Sequence, residues 1–215
     1  MQPYYEESGI TIYHGDCREI LPFLRRPDVI VTDPPYGINF VHGGGGGAKG
    51  PSSVFGGIRV HGDSEPFDPR MLLDKADTVI LWGANHYAHL LPPSSGWLVW
   101  DKRDGIAQND QADCEMAWSN QPVAARLKRH YWMGLVRASE LREPRVHPTQ
   151  KPIEIMGWSI SQCGNGSQLI CDPYMGSGTT LVAAKRRGLE CIGIEIEEKY
   201  CEIAAKRLSQ GVLAF

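Results

Sequence analysis

The sequence predicts an α/β protein built on a doubly wound, mainly parallel sheet. Two observations carry that prediction. Seven short apolar runs, at residues 10–13, 28–32, 78–82, 97–100, 112–118, 168–171 and 190–194, have the length and bulk of buried strands. The last two are each followed by a helical stretch, and strands that alternate with helices build parallel sheets.

In chain order, the run 10–13 ends at His14-Gly15-Asp16, and residues 18–24 read as a short helix closed by Arg25-Arg26-Pro27. The strand 28–32 runs into Asp33-Pro34-Pro35-Tyr36. Residues 40–62 are glycine-dominated, cannot pack a core, and are expected to form a mobile loop. Residues 68–76 read as a helix before the strand 78–82. Residues 152–163 read as a helix with Pro152 in its first turn, where proline is tolerated. Helix 178–187 is closed by Gly188. Helix 197–208 opens on Glu197 and Glu198 and ends near Lys206 and Arg207, as the helix dipole favours. Trp82, Trp97, Trp100 and Trp118 fall within strands and are expected in the core.

The length suits one domain over 1–215. Six cysteines are scattered without a Cys-x-x-Cys pair, so neither a metal site nor a disulfide framework is suggested. No apolar stretch reaches membrane-spanning length and no signal-peptide pattern opens the chain, so a cytoplasmic setting is expected. The net charge of −3 argues against a generally basic nucleic-acid binder. Its distribution does not: residues 121–151 carry seven cations against two carboxylates. Arg126, Lys128, Arg129, Arg137, Arg142 and Arg145 are therefore candidate phosphate or base contacts.

Asp33-Pro34-Pro35-Tyr36 is the sharpest chemical signal. In open α/β sheets ligands bind at the C-terminal ends of strands. Prolines cannot continue the strand ladder, so their carbonyls are expected to serve as fixed acceptors. A carboxylate, an outward carbonyl and a flat ring suit a planar group bearing an NH2. A second constellation, Asp172-Pro173-Tyr174-Met175-Gly176-Ser177-Gly178-Thr179-Thr180, joins a strand to its helix. Leu181 occupies the third glycine position of the dinucleotide fingerprint, so a pyrophosphate ligand is disfavoured. Glu195, at the end of the next strand, is well placed for both hydroxyls of a ribose.

Together these segments resemble the S-adenosylmethionine-dependent DNA amino-methyltransferases. Asp33-Pro34-Pro35-Tyr36 is similar to that family's catalytic motif, and Tyr174-x-Gly176-x-Gly178 to its Phe-x-Gly-x-Gly cofactor loop, with Tyr in place of Phe. His147-Pro148-Thr149-Gln150-Lys151-Pro152 is similar to the motif preceding the cofactor loop in the permuted β group. The resemblance implies a circularly permuted, seven-stranded Rossmann-like methyltransferase sheet in a single domain, with a short recognition segment over 121–146. It implies transfer of a methyl group to the N6 amine of a flipped adenine in double-stranded DNA. N4 of cytosine is the runner-up; an RNA or protein acceptor and an inactive nucleic-acid-binding relative come further behind. The implied catalytic set is Asp33, Pro34, Pro35 and Tyr36, with Tyr36 stacking on the base. The implied cofactor set is Asp16, Cys17, Asp33, Thr149, Lys151, Asp172, Tyr174, Gly176, Gly178, Thr179, Thr180 and Glu195. Asp16 and Cys17 follow a strand expected to neighbour the catalytic one. A homodimer is compatible with this reading.

Overall fold

The structure is a computed structural model that describes residues 1–39, 61–105, 112–133, 136–141, 146–147, 149–164 and 168–210. The expected glycine loop therefore lies outside the described residues, apart from its last two positions.

The elements are β1 (Tyr5–Glu7), β2 (Ile10–His14), α1 (Cys17–Ile20), β3 (Val29–Thr32), β4 (Thr78–Trp82), β5 (Trp97–Asp101), β6 (Cys114–Ser119), β7 (Arg126–Arg129), β8 (Trp132–Met133), β9 (Val136–Arg137), α2 (Ile153–Ser161), β10 (Leu169–Asp172), α3 (Thr179–Lys185), β11 (Glu190–Glu195) and α4 (Glu198–Ser209). One sheet takes the order β1-β2-β11-β10-β3-β4-β6-β5-β7, and β8 pairs with β9 separately. The sheet has nine strands among the described residues, not the expected seven. The two additions, β1 and β7, lie at its edges. It is mixed: β2, β11, β10, β3 and β4 run parallel, β6 is antiparallel to both β4 and β5, and β7 is parallel to β5.

Side chains on a strand alternate between faces, and here the alternation sorts them into two cores. Val29 and Val31 of β3, with Ile80 and Trp82 of β4, join Ile155, Ile160, Leu181 and Ala204 from α2, α3 and α4. Ile30, Val79 and Leu81 point the other way, onto Cys17 and Ile20 of α1 and onto Leu72 and Tyr87. Both faces are thus covered, but the second is covered by short pieces. Trp82, Trp100 and Trp118 are buried as expected; Trp97 is partly buried and packs against the second core.

Two expected helices are shorter for identifiable reasons. The segment 18–24 gives only α1 and a 3-10 turn over Leu21–Phe23. Pro22 has no N–H to continue an α-helix. The segment 68–76 gives a single 3-10 turn, Pro69–Met71, capped by Asp68. The N–H groups of Asp77 and Thr78 both donate to Asp28 O, at 3.2 and 3.1 Å. That pins the chain for entry into β4, and a helix of so few residues has little stability of its own. No described helix is long and apolar enough to cross a membrane.

Candidate active site

The chain runs from β10 through α3 to β11 on one side and from β3 to β4 on the other. The sheet order therefore reverses between β10 and β3, the position where α/β sheets open a crevice at their C-terminal ends. Asp33 follows β3 and Asp172 closes β10, so the two motifs seen in the sequence become neighbours. Thr32 Oγ1 donates to Asp172 Oδ1 at 2.6 Å and ties the two strand ends together. Asp33, Lys151, Asp172, Tyr174, Gly176 and Thr179 all line the resulting crevice.

On the β3 side, Asp33 sits in a partly buried cluster of charges around the buried Lys151. Lys151 Nζ lies 2.7 Å from Asp33 Oδ1 and 2.8 Å from Glu115 Oε2. Lys102 Nζ lies 2.9 Å from Glu115 Oε1. Tyr36 Oη donates to Asp33 Oδ1 at 2.5 Å and accepts from Lys151 Nζ at 3.1 Å. The Lys151 side chain is only 5% exposed. Burial disfavours its charge, but Asp33 and Glu115 outweigh that and raise the ammonium's pKa. Burial likewise pushes the Glu115 carboxyl up, and Lys151 and Lys102 overcome it, holding it down to about 2. For Asp33 burial prevails, and its carboxyl is raised despite Lys151. Among the described residues nothing hydrogen-bonds Asp33 Oδ2. Glu115 and Lys102 carry no local signal, because their partners are remote in the chain.

Asp63, buried, holds the turn after Tyr36 by accepting from the N–H groups of Tyr36, Gly37 and Ile38 at 2.9, 2.8 and 3.3 Å. It too escaped the sequence reading, because it lies just past the glycine-rich stretch. The Tyr36 ring stacks on His86, with centroids 4.9 Å apart and planes at 14°. It also packs on Gly83, where an added Cβ would fall 1.9 Å from Tyr36 Cε1, at a φ of +70°. Gly83→Ala is therefore expected to cost about 1–3 kcal/mol in urea unfolding, from left-handed backbone strain and displacement of the ring. An unchanged midpoint would show that Tyr36 has room to move.

On the β10 side, Asp172 accepts from Thr32 Oγ1, from the Tyr174 N–H at 3.1 Å and from Thr180 Oγ1 at 2.5 Å. Burial raises its carboxyl to about 6 against the pull of these donors. Asp172 and Thr180 thus fasten the loop to the strand ends. The two glycines differ. At Gly178, which caps α3 with φ +79°, a Cβ would meet Ala204 Cβ at 2.7 Å, so packing against α4 requires glycine. At Gly176 a Cβ would meet only the His147 ring, at 3.7 Å. Gly176 therefore leaves backbone open to the crevice. Its N–H donates to Glu195 Oε2 at 3.0 Å, and the Glu197 N–H to Oε1 at 2.7 Å. Each carboxylate oxygen keeps a lone pair for a further donor.

Asp16 and Cys17 are not beside the catalytic strand, contrary to the expectation that placed them. β2 pairs with β11, and two strands separate it from β3. That register sets His14 against Glu195, and the Gly15 N–H donates to Glu195 O at 2.9 Å. Asp16 and Cys17 are thereby brought next to Glu195. Asp16 caps α1 and pairs with Arg18. Thr149 is exposed, with its hydroxyl 3.1 Å from His147 Nδ1.

Of the candidate cations, Arg126 is exposed on the edge strand β7, beside Lys128 and Arg129. Lys128 pairs with Glu154 at 2.5 Å and Arg129 with Asp101 at 3.5 Å. Arg137 lies over the Trp132 ring, 5.1 Å from its centroid. Arg142 and Arg145 lie outside the described residues.

Fold and crevice together define an α/β protein with a strand-end carboxylate beside a glycine loop. The chain belongs to the N6/N4 amino-methyltransferase family: the family model, described as DNA methylase, matches residues 73–206. The type II methyltransferase M2.DpnII of Streptococcus pneumoniae is 42% identical, over 96% of this chain and 92% of its own length. The type II methyltransferase M.ScaI of Streptomyces caespitosus is 28% identical, over 96% and 84%. Among solved structures, the M1.HpyAVI–SAM complex aligns with a TM-score of 0.59 at 22% identity, covering 93% of this chain and 98% of that one. PvuII DNA methyltransferase (cytosine-N4-specific) aligns at 0.66 and 13% identity, covering 99% and 91%. These two establish likeness of fold.

Proposed function

We propose that this protein methylates the N6 amine of adenine in double-stranded DNA, with S-adenosylmethionine as methyl donor, and that its sheet is the permuted β-group version of the fold. The observation that carries the reading is the position of Asp33: one oxygen is fixed by Lys151 and Tyr36, the other is left for a substrate, and the glycine loop lies across the crevice. The chain order of catalytic motif, basic segment and cofactor loop supports permutation.

The donor set fits the cofactor. Glu195 retains acceptor positions for a ribose diol, and the backbone at Gly176 is open to a ligand. Asp16 and Cys17, which follow the end of β2 beside Glu195, would border the adenine. Thr149 and Thr179 would sit towards the methionine end, with Tyr174 supplying an aromatic wall. Asp172, Thr180 and Gly178 hold this seat in shape. When bound, S-adenosylmethionine supplies a sulfonium methyl that is electrophilic without further activation.

An adenine amine is a poor nucleophile because its lone pair is delocalised into the ring. Asp33 Oδ2 and the Pro34 carbonyl would each accept one amine hydrogen, turning the lone pair out of the ring plane. Asp33 also opposes the positive charge that develops on nitrogen. Rate then comes from orientation and from a pre-set charge rather than from a covalent intermediate. The base must leave the duplex to reach Asp33. Tyr36, held by His86 on one face, is the ring available to meet it. Pro35 stiffens the turn between the carbonyl and that ring.

Residues 121–146 would carry the DNA. Arg126→Ala and Arg129→Ala are each expected to weaken binding similarly across sequences and to reduce the slope of log K against log salt by about one. A change confined to one sequence would instead assign base contacts to them. Incubation with unmethylated DNA and isotopically labelled S-adenosylmethionine, followed by nucleoside mass analysis, tests the reading as a whole. N6-methyladenine is the expected product. N4-methylcytosine would replace adenine by cytosine in the proposal, and label in RNA or protein alone would overturn it.

A further inference from the structure

We propose that Glu115 is a positioning residue for this reaction: it offsets the charge of the buried Lys151, so that the ammonium does not oppose the positive charge developing on the substrate amine beside Asp33. The inference rests on the methyl-transfer reading above and adds a residue that the Asp-Pro-Pro-Tyr motif does not contain.

The geometry is that of a chain of alternating charges. Lys102, Glu115, Lys151 and Asp33 follow one another at 2.9, 2.8 and 2.7 Å. Lys102 follows β5, Glu115 is on β6 and Lys151 precedes α2, so three separate elements converge on Asp33. Lys151 is nearest to Asp33 at Oδ1, the oxygen that also takes the Tyr36 hydroxyl. If Lys151 faced Asp33 alone, its charge would be directed wholly at the carboxylate, and a cation would stand beside a nitrogen that becomes positive in the transition state. Glu115, on the other side of the ammonium, prevents this. Each of its oxygens holds one lysine, and the four groups together carry no net charge. The remaining titratable groups around Asp33 are Tyr36 in its own loop, Tyr87 after β4, and Asp172 on β10. Neither tyrosine carries charge near neutral pH, and Tyr87 is engaged with Trp82 O at 2.5 Å. Asp172 is occupied by Thr32, Thr180 and the Tyr174 N–H, so Glu115 is the carboxylate that faces Lys151 opposite Asp33.

The consequence runs against intuition. Glu115→Gln leaves two ammonium groups facing one carboxylate. The site is then net positive, Asp33 binds its proton less tightly, and the acid limb of the kcat–pH profile moves to lower pH. Plateau turnover falls nonetheless, because the developing amine cation now meets uncompensated positive charge. A Glu115 that merely braced the fold would do the opposite: Lys151 would drift off, and the buried Asp33 would hold its proton more tightly.

The test uses the full chain, DNA carrying its methylation site, and saturating S-adenosylmethionine. Parent protein that methylates no DNA would refute the underlying reading, independently of anything Glu115 does. With an active parent, Glu115→Gln is expected to lower kcat about tenfold or more and to move the acid limb down by about one pH unit. Calorimetric S-adenosylmethionine affinity should change less than threefold. Glu115→Asp, which keeps the charge, should restore the acid limb. Should Glu115→Gln fail to fold, the double variant Lys102→Met/Glu115→Gln still leaves Lys151 facing Asp33 without its counter-charge, and its acid limb is expected below the parent's, in the same direction as in the single variant. An acid limb that stays put or rises in Glu115→Gln, or in the double variant where that is the one that folds, overturns the proposal.

Discussion

Asp33→Ala is expected to lower methyl transfer by about a thousandfold or more while S-adenosylmethionine still binds. The loss is large because in the proposed mechanism one carboxylate would serve two purposes, accepting an amine hydrogen and opposing the charge on nitrogen. The variant should fold, since Lys151 keeps Glu115 at 2.8 Å and no buried carboxylate is orphaned. Rapid-quench assays with labelled cofactor, set beside calorimetric binding, separate the two effects. Turnover within tenfold of the parent would refute the role given to Asp33.

The second large effect is expected at Lys151. Lys151→Met removes the only cation among the described residues in contact with Asp33, while Glu115 keeps Lys102 at 2.9 Å. Breaking a buried pair from one side costs about 3–5 kcal/mol, because a charge is left uncompensated. The pH dependence gives the sign. In the parent, Glu115 is held near 2, below its ordinary value of 4.5. Its contribution to stability is in place above that ordinary value and lost as pH falls through about 2. In Lys151→Met, the Asp33 carboxyl rises further above its unfolded value of 3.8. Its contribution is then present below that value and lost as pH rises. Urea unfolding from pH 3 to pH 8 should show the variant losing ground to the parent as the solution becomes less acidic. A constant gap between the two would mean that Lys151 is held by packing alone.

The strands of this protein are legible because their burial is local information. Runs such as Val29–Thr32 and Thr78–Trp82 are apolar throughout, as strands covered on both faces must be. β7 was missed because Arg-Leu-Lys-Arg has no such run; it pairs along one edge only and keeps its charges in water. β1, likewise at an edge, is equally polar. The site was half legible for the same reason. Asp33-Pro34-Pro35-Tyr36 and the loop around Gly176 carry their chemistry within a few consecutive residues. Glu115 carries its meaning only through Lys102 and Lys151, which reach it from two other elements. Asp63 likewise depends on a turn more than twenty residues upstream. Asp16 shows the converse case: the residue was singled out correctly as lying at a strand end, but which strand lies next to which is settled by the packing of the whole sheet. No local pattern in β2 distinguishes β11 from β3 as its neighbour.

The Thr32–Asp172 hydrogen bond has a consequence beyond fastening two loops. It joins the ends of adjacent strands, one bearing the seat proposed for the amine and the other the seat proposed for the methyl donor. Adjacent strands in any sheet lie about 4.8 Å apart. The separation of nucleophile and electrophile is then inherited from backbone geometry, a ruler that mutation of surface residues cannot lengthen. Segments proposed to choose the DNA sequence would be free to change length and composition around it. The proposed chemistry would keep its reach because its two halves are measured off on neighbouring rungs of one sheet.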